Sequence, residues 1–177
     1  MSATIMSLFE DTALFQGQQR QELCTGAVVL RGFAFAQATA LYEEVDGVTS
    51  RAPFRHMVTP GGVCMSVAMT NCGSYGWVSD STGYRYDPRD PHNGQNWPEM
   101  PDIFLKLAQN AAAAAGFDNY VPDACLINRY DPGTRLSMHQ DKDERDREAP
   151  IVSVSLGISA VFLWGGLQRQ DKPIRIP

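Results

Sequence analysis

The stretch Asn128-Arg129-Tyr130-Asp131-Pro132-Gly133, with Leu136-Ser137-Met138-His139-Gln140-Asp141-Lys142-Asp143-Glu144 close behind it, decides how this chain is read. Ala124–Tyr130 has the composition of a strand, and Asp131-Pro132-Gly133 is a strong turn signal. In an extended chain, residues two apart point to the same side. His139 and Asp141 then aim an imidazole and a carboxylate at one point. Asn128 and Tyr130 share a face by the same rule. An imidazole–carboxylate pair is two-thirds of a 2-His-1-carboxylate triad, which grips iron(II) by one face and leaves positions open. Alone, an H-x-D pair is a weak signal. A calcium loop is the rival reading, since Asp141 and Asp143 alternate. It fails because Arg145 occupies the next ligand position and Asp146 stands where that loop carries glycine.

Downstream of this stretch the pattern stays β. Ile151–Leu156 and Ser159–Trp164 are predicted strands, with Gly165-Gly166 ending them. Upstream lies a helix over Pro101–Ala115. Pro101 opens it, Asp102 suits the positive end of its dipole, and Gly116 stops it. Its apolar stripe is Ile103, Phe104, Leu107, Ala108 and Ala111. Trp77–Asn96 is rich in Gly, Pro, Asp, Asn and Tyr and reads as loops and short hairpins with exposed aromatics. Val63–Thr70 is a strand after a Thr59-Pro60-Gly61-Gly62 turn. Ala36–Val45 has helical spacing, with Ala38, Leu41, Tyr42 and Val45 on one face. Gly26–Leu30 is a short strand, and Met1–Gln21 is polar and loose. Helices first and strands later argue for an α+β fold, a helix covering a sheet or barrel.

At 177 residues one domain is expected, large enough for a core without staples. No stretch approaches the roughly 20 apolar residues that span a bilayer. Met1–Glu10 has no basic residue and no apolar run, so it does not read as a secretory signal, and the cytoplasm is expected. Cys24, Cys64, Cys72 and Cys125 form no C-x-x-C pair and read as reduced, mostly buried thiols. The net charge of −5 is a poor signature for a nucleic-acid binder. The distribution is uneven, however: residues 129–177 hold 8 Lys and Arg against 7 Asp and Glu, whereas residues 1–128 hold 7 against 13.

Five pieces occur in a fixed order: Val58–Gly62, Met65–Gly73, Pro122–Tyr130, His139–Glu144 and Ala149–Gly157. Together they resemble the AlkB family of iron(II)- and 2-oxoglutarate-dependent DNA-repair dioxygenases. The resemblance runs from about Thr25 to Asp171. It implies a jelly roll, or double-stranded β-helix, with N-terminal helices and a nucleotide-recognition lid. It divides the chain into an N-terminal extension and helix (1–52), the lid (53–98) and a partial jelly-roll core (99–177), as one continuous domain. It makes His139 and Asp141 the iron ligands and catalytic pair. It gives 2-oxoglutarate to Asn128, Arg129 and Tyr130. It assigns the alkylated base to Met69, Trp77, Tyr84, Arg85, Tyr86, Asp143 and Arg169. Flipped bases are read by aromatic stacking, and an alkylated adenine or cytosine is cationic, so a carboxylate such as Asp143 favours it. Arg129, Arg135 and Lys142 are candidates for phosphates.

The implied activity is oxidative demethylation of bases such as 1-methyladenine and 3-methylcytosine in single- or double-stranded DNA, with RNA as a further substrate class. The implied enzyme is a monomer that uses iron(II), O2 and 2-oxoglutarate. The chain departs from the family at one point. Its histidines are His56, His92 and His139, and none of the 36 residues after Asp141 is histidine. The family's distal ligand and its two late arginines have no counterpart, Arg175 falling too early. The expectation is a fragment or truncated gene product lacking the last strands. The alternative function is an inactive remnant that retains at most nucleic-acid binding.

Overall fold

The computed structural model describes residues 19–141, 144, 146–166, 168 and 170–177. Among the described residues nine strands and two α-helices make an α+β fold in which these strands pair antiparallel. Strands β1 (Gln19–Cys24) and β2 (Ala27–Arg31) form a hairpin. Helix α1 (Ala38–Arg51) follows, then β3 (Arg55–Val58), β4 (Cys64–Gly73), β5 (Gly76–Asp80) and β6 (Gly83–Asp87). Helix α2 (Asp102–Ala115) precedes β7 (Ala124–Arg129), β8 (Phe162–Trp164) and β9 (Ile174–Ile176).

The sheet that organises the molecule has the order β3-β4-β7. Its central strand is buried from Val67 through Cys72, as a strand covered on both faces must be. One face carries Val67 and Met69. They form a core with Met57 of β3, and Met65, Trp77, Leu126 and Leu136 pack against it. The other face carries Ala68, Thr70 and Cys72 and turns towards α1, where the Thr70 hydroxyl donates to the Ala52 carbonyl over 2.6 Å. The β4–β7 ladder runs from Ala68↔Arg129 to Gly73↔Ala124 and puts Met69 opposite Asn128.

Helix α2 starts and stops where the sequence predicts. Pro101 caps it, Asp102 lies in the first turn, and Gly116 closes it at φ +96°. That left-handed conformation suits glycine, and it lets the Gly116 and Phe117 N–H groups reach the last carbonyls. Helix α1 extends to Arg51, beyond the predicted Val45, and its buried positions are Leu41 and Val48. Tyr42, predicted on the apolar face, is 46% exposed.

The β5–β6 hairpin is tied to the sheet by Asn71. Its amide donates to the Trp77 carbonyl and accepts from the Trp77 N–H, each over 3.0 Å. A second small core of Ala52, Val78 and Trp97 lies beside it. There the Trp97 indole donates to the Asp87 carbonyl, and Arg55 stacks over the ring at 5.3 Å while pairing with Asp90 at 2.6 Å.

Three expectations are corrected. Ile151–Leu156 is extended but is not a strand, because among the described residues no neighbour supplies it with a ladder; Ile151 and Val154 face solvent. The strand predicted over Ser159–Trp164 is confined to Phe162–Trp164, the part that finds a partner in β9. The cysteines are not mostly buried: Cys24 and Cys64 lie on exposed strand positions, Cys125 is half-buried, and Cys72 alone is buried. No helix among the described residues is long and apolar enough to cross a membrane.

Candidate active site

The Asp131-Pro132-Gly133 turn ends β7, with Gly133 at φ +90° and the Thr134 N–H bonded to the Asp131 carbonyl. Beyond the turn the predicted i, i+2 convergence is realised: His139 Nε2 lies 3.4 Å from Asp141 Oδ1. The other ring nitrogen, Nδ1, is 2.8 Å from the Ser137 carbonyl oxygen. A carbonyl can only accept, so Nδ1 carries a proton, and Nε2 is the nitrogen turned towards the carboxylate. Metal-binding imidazoles are held in their tautomer in this way. The donor pair therefore fits one edge of an iron(II) coordination sphere. Among the described residues no group of three His, Cys, Asp or Glu completes it. His56 gives Nδ1 to a 2.9 Å contact with the Met65 carbonyl. With His92 it lines an open cleft of about 250 Å³ whose walls do not include His139 or Asp141.

Asn128 Oδ1 is buried with no hydrogen-bond partner. An unpaired buried amide is costly, and a rotated Asn can offer NH2 as well as oxygen. A carboxylate-bearing co-substrate fits such a group. Tyr130, the residue after β7, is 50% exposed; partial burial raises its phenol above the ordinary range. Arg129 is not brought to this group. Strand alternation turns it to the opposite face, where its guanidinium lies 5.1 Å over the Phe54 ring and 3.5 Å from Asp131.

The hairpin reaches the same region. Trp77 stacks on Tyr84 with centroids 5.7 Å apart and planes 18° off parallel. Tyr86, opposite Trp77 in the register, donates its hydroxyl to Glu144 over 2.5 Å. Burial above all, then the Glu144 hydrogen bond and charge and the carboxylates of Asp141 and Asp123, push the Tyr86 phenol well above its usual range. The hairpin is thus linked to the H-x-D segment through Tyr86, by its bond to Glu144 and by the charge of Asp141.

Two expected base contacts are placed elsewhere. Arg85 alternates away from Tyr84 and Tyr86 and is spent inside the hairpin, on Asp80 at 2.9 Å and Asp87 at 3.4 Å. Met69 is 2% exposed and belongs to the core beneath Trp77. Asp143, Arg169 and Lys142 lie outside the described residues. Sequence reasoning missed Glu144, quoted only as the end of the His139–Glu144 stretch, and Asn71, which fixes the backbone of Trp77. The spacing between Tyr86 and Glu144 carries no periodic signal, and Asn71 lies one position past the predicted Val63–Thr70 strand, whose extension to Gly73 is what buries it.

The model of the 2OG-Fe(II) oxygenase superfamily matches residues 26–177. The chain belongs to that family, and it is a dioxygenase whose cofactor is iron(II) and whose co-substrate is 2-oxoglutarate. Within the family it is of AlkB type. It is 54% identical over 167 residues to the alpha-ketoglutarate-dependent dioxygenase AlkB of Escherichia coli, an alignment covering 94% of this chain and 76% of that protein. The human nucleic acid dioxygenase ALKBH1 is 34% identical over 97 residues, covering 55% of this chain and 25% of its own length. The solved structure of OsALKBH1 superposes with a TM-score of 0.76 at 27% identity, covering 89% of this chain and 78% of that one.

Proposed function

We propose that the protein removes N-methyl groups from cationic alkylated bases such as 1-methyladenine and 3-methylcytosine in nucleic acid. The observation that carries this reading is the bond from Tyr86, on the hairpin that also carries the Trp77–Tyr84 stack, to Glu144, three residues past Asp141, whose charge also acts on the Tyr86 phenol. Aromatic faces and a carboxylate favour a flat cation over a neutral base. The name of the human relative, a nucleic acid dioxygenase, supports the substrate class. The fold reading that goes with it is a jelly roll with residues 53–98 as a nucleotide-recognition lid. The proposed setting is the cytoplasm, as a monomer.

His139, through its Nε2 lone pair, and Asp141 would hold the iron, and Asn128 and Tyr130 would hold 2-oxoglutarate. When bound, iron(II) and 2-oxoglutarate would supply the oxidising chemistry with O2 as the four-electron oxidant, so that methyl carbon leaves as formaldehyde while 2-oxoglutarate becomes succinate and CO2. The chain's own part is positional. The Ser137 carbonyl fixes the imidazole tautomer, and Asn71 fixes the height of Trp77. Tyr86 holds Glu144 at the edge of the base site.

The test is formaldehyde release from single-stranded DNA carrying 1-methyladenine, with iron(II), 2-oxoglutarate and ascorbate, beside an RNA of the same sequence. Turnover lost in His139→Ala supports the reading. No formaldehyde with protein in excess over oligonucleotide overturns it.

A further inference from the structure

Cys72 on β4 and Cys125 on β7 stand directly opposite one another in the ladder. Opposed antiparallel residues have Cα atoms about 4.5–5.5 Å apart, within the span of a disulfide. Residues opposed in a ladder point to the same side of the sheet, so the two thiols are neighbours. They lie on the sheet face turned to α1, the face opposite Asn128, and take no part in the site described above. We propose that this dithiol is a redox modification site, closed by hydrogen peroxide into a cross-strand disulfide.

Cys125 is the attacking sulfur. It is the more exposed of the two, and the Cys72 thiol beside it favours its thiolate. The neighbouring Cys125, then burial, keeps Cys72 a neutral thiol. The Cys125 thiolate attacks one peroxide oxygen, the O–O bond breaks, and the departing hydroxide takes a proton and leaves as water. Cys125 is then a sulfenic acid. The Cys72 sulfur attacks that sulfur, the S–O bond breaks, and the hydroxide leaves as a second water with the Cys72 proton. Two thiols lose two electrons, and one peroxide is reduced to two waters. The disulfide closes a loop over residues 73–124, which includes the whole β5–β6 hairpin and α2.

The experiment uses the full chain with Cys24→Ser and Cys64→Ser, since those exposed thiols would otherwise consume the oxidant. It is treated with peroxide in the presence of a chelator and mapped by mass spectrometry after proteolysis. The expected product is one peptide pair joined through Cys72 and Cys125, lighter by two hydrogens and restored by dithiothreitol. Its unfolding midpoint rises by about 5–10 °C. In Cys72→Ser, Cys125 stalls as a sulfenic acid that a dimedone probe captures. Should that variant not fold, the peptide map of the parent decides alone. Two free thiols after excess peroxide, or Cys125 carried to sulfinic acid without a link to Cys72, overturns the proposal.

Discussion

Tyr86 and Glu144 are separated by 58 positions, yet the phenol of one donates to the carboxylate of the other over 2.5 Å. This bond joins the β5–β6 hairpin to the segment carrying His139 and Asp141. Tyr86→Phe removes the donor and leaves Glu144 without this partner. Bonds to charged groups contribute about 1.5–3 kcal/mol. The expected result is a KM for methylated oligonucleotide raised by roughly ten-fold or more, with kcat changed less. Steady-state kinetics on the two proteins checks it; a fall in kcat at constant KM would assign Tyr86 to the chemistry instead.

The same tyrosine sets an alkaline limit on stability. Its folded pKa lies above the unfolded value of about 10. Its contribution is therefore complete below pH 10 and is lost as pH rises from there through the folded pKa, where the unfolded chain binds fewer protons. Urea midpoints measured above pH 10 should fall more steeply in the parent than in Tyr86→Phe.

Asn128→Ala separates binding from folding. The buried Oδ1 has no partner, so its removal costs the fold little. The KM for 2-oxoglutarate should rise by about ten-fold or more, while the melting temperature stays level or climbs. A marked loss of stability would show that the amide serves the core.

At the hairpin tip, Arg85 above all, then Thr82, hold the Asp80 carboxyl well below the usual carboxylate range. The stabilisation it gives is present above the unfolded value of about 4 and fades as pH falls towards the folded one. Asp80→Asn should speed hydrogen exchange at residues 79–85 at neutral pH, and the parent should show the same fraying only in acid.

Gly76→Ala tests the close approach of β5 to the second core. A Cβ there would overlap the Trp97 indole and come within 2.8 Å of the Asn71 Cβ. Overpacking of this kind costs typically about 1–3 kcal/mol, to be read from equilibrium unfolding.

Much of this was legible in the sequence because it is local. Helix α2 had its proline, aspartate and glycine in order, β7 ended at Asp131-Pro132-Gly133, and the H-x-D spacing placed two side chains together without tertiary help. The strand at Ile151–Leu156 was misread because alternation and β-propensity describe a segment, whereas a strand requires a partner. Arg85 and Arg129 were assigned to ligands through the resemblance, although alternation against their neighbours sends each to the other face. Glu144 escaped because its contact is non-local.

The isolated bridge between Tyr75 and Ala124 and the last rung of β4 and β7, Gly73↔Ala124, fall at one point in space. The chain leaves the sheet there and returns there, having made the hairpin, the Trp97 core and α2 in between. Chain entropy charges little for the length of such an excursion. The segment is in effect a cartridge seated on one rung. It can be lengthened, shortened or exchanged for another reading head, while the β3-β4-β7 sheet keeps its register.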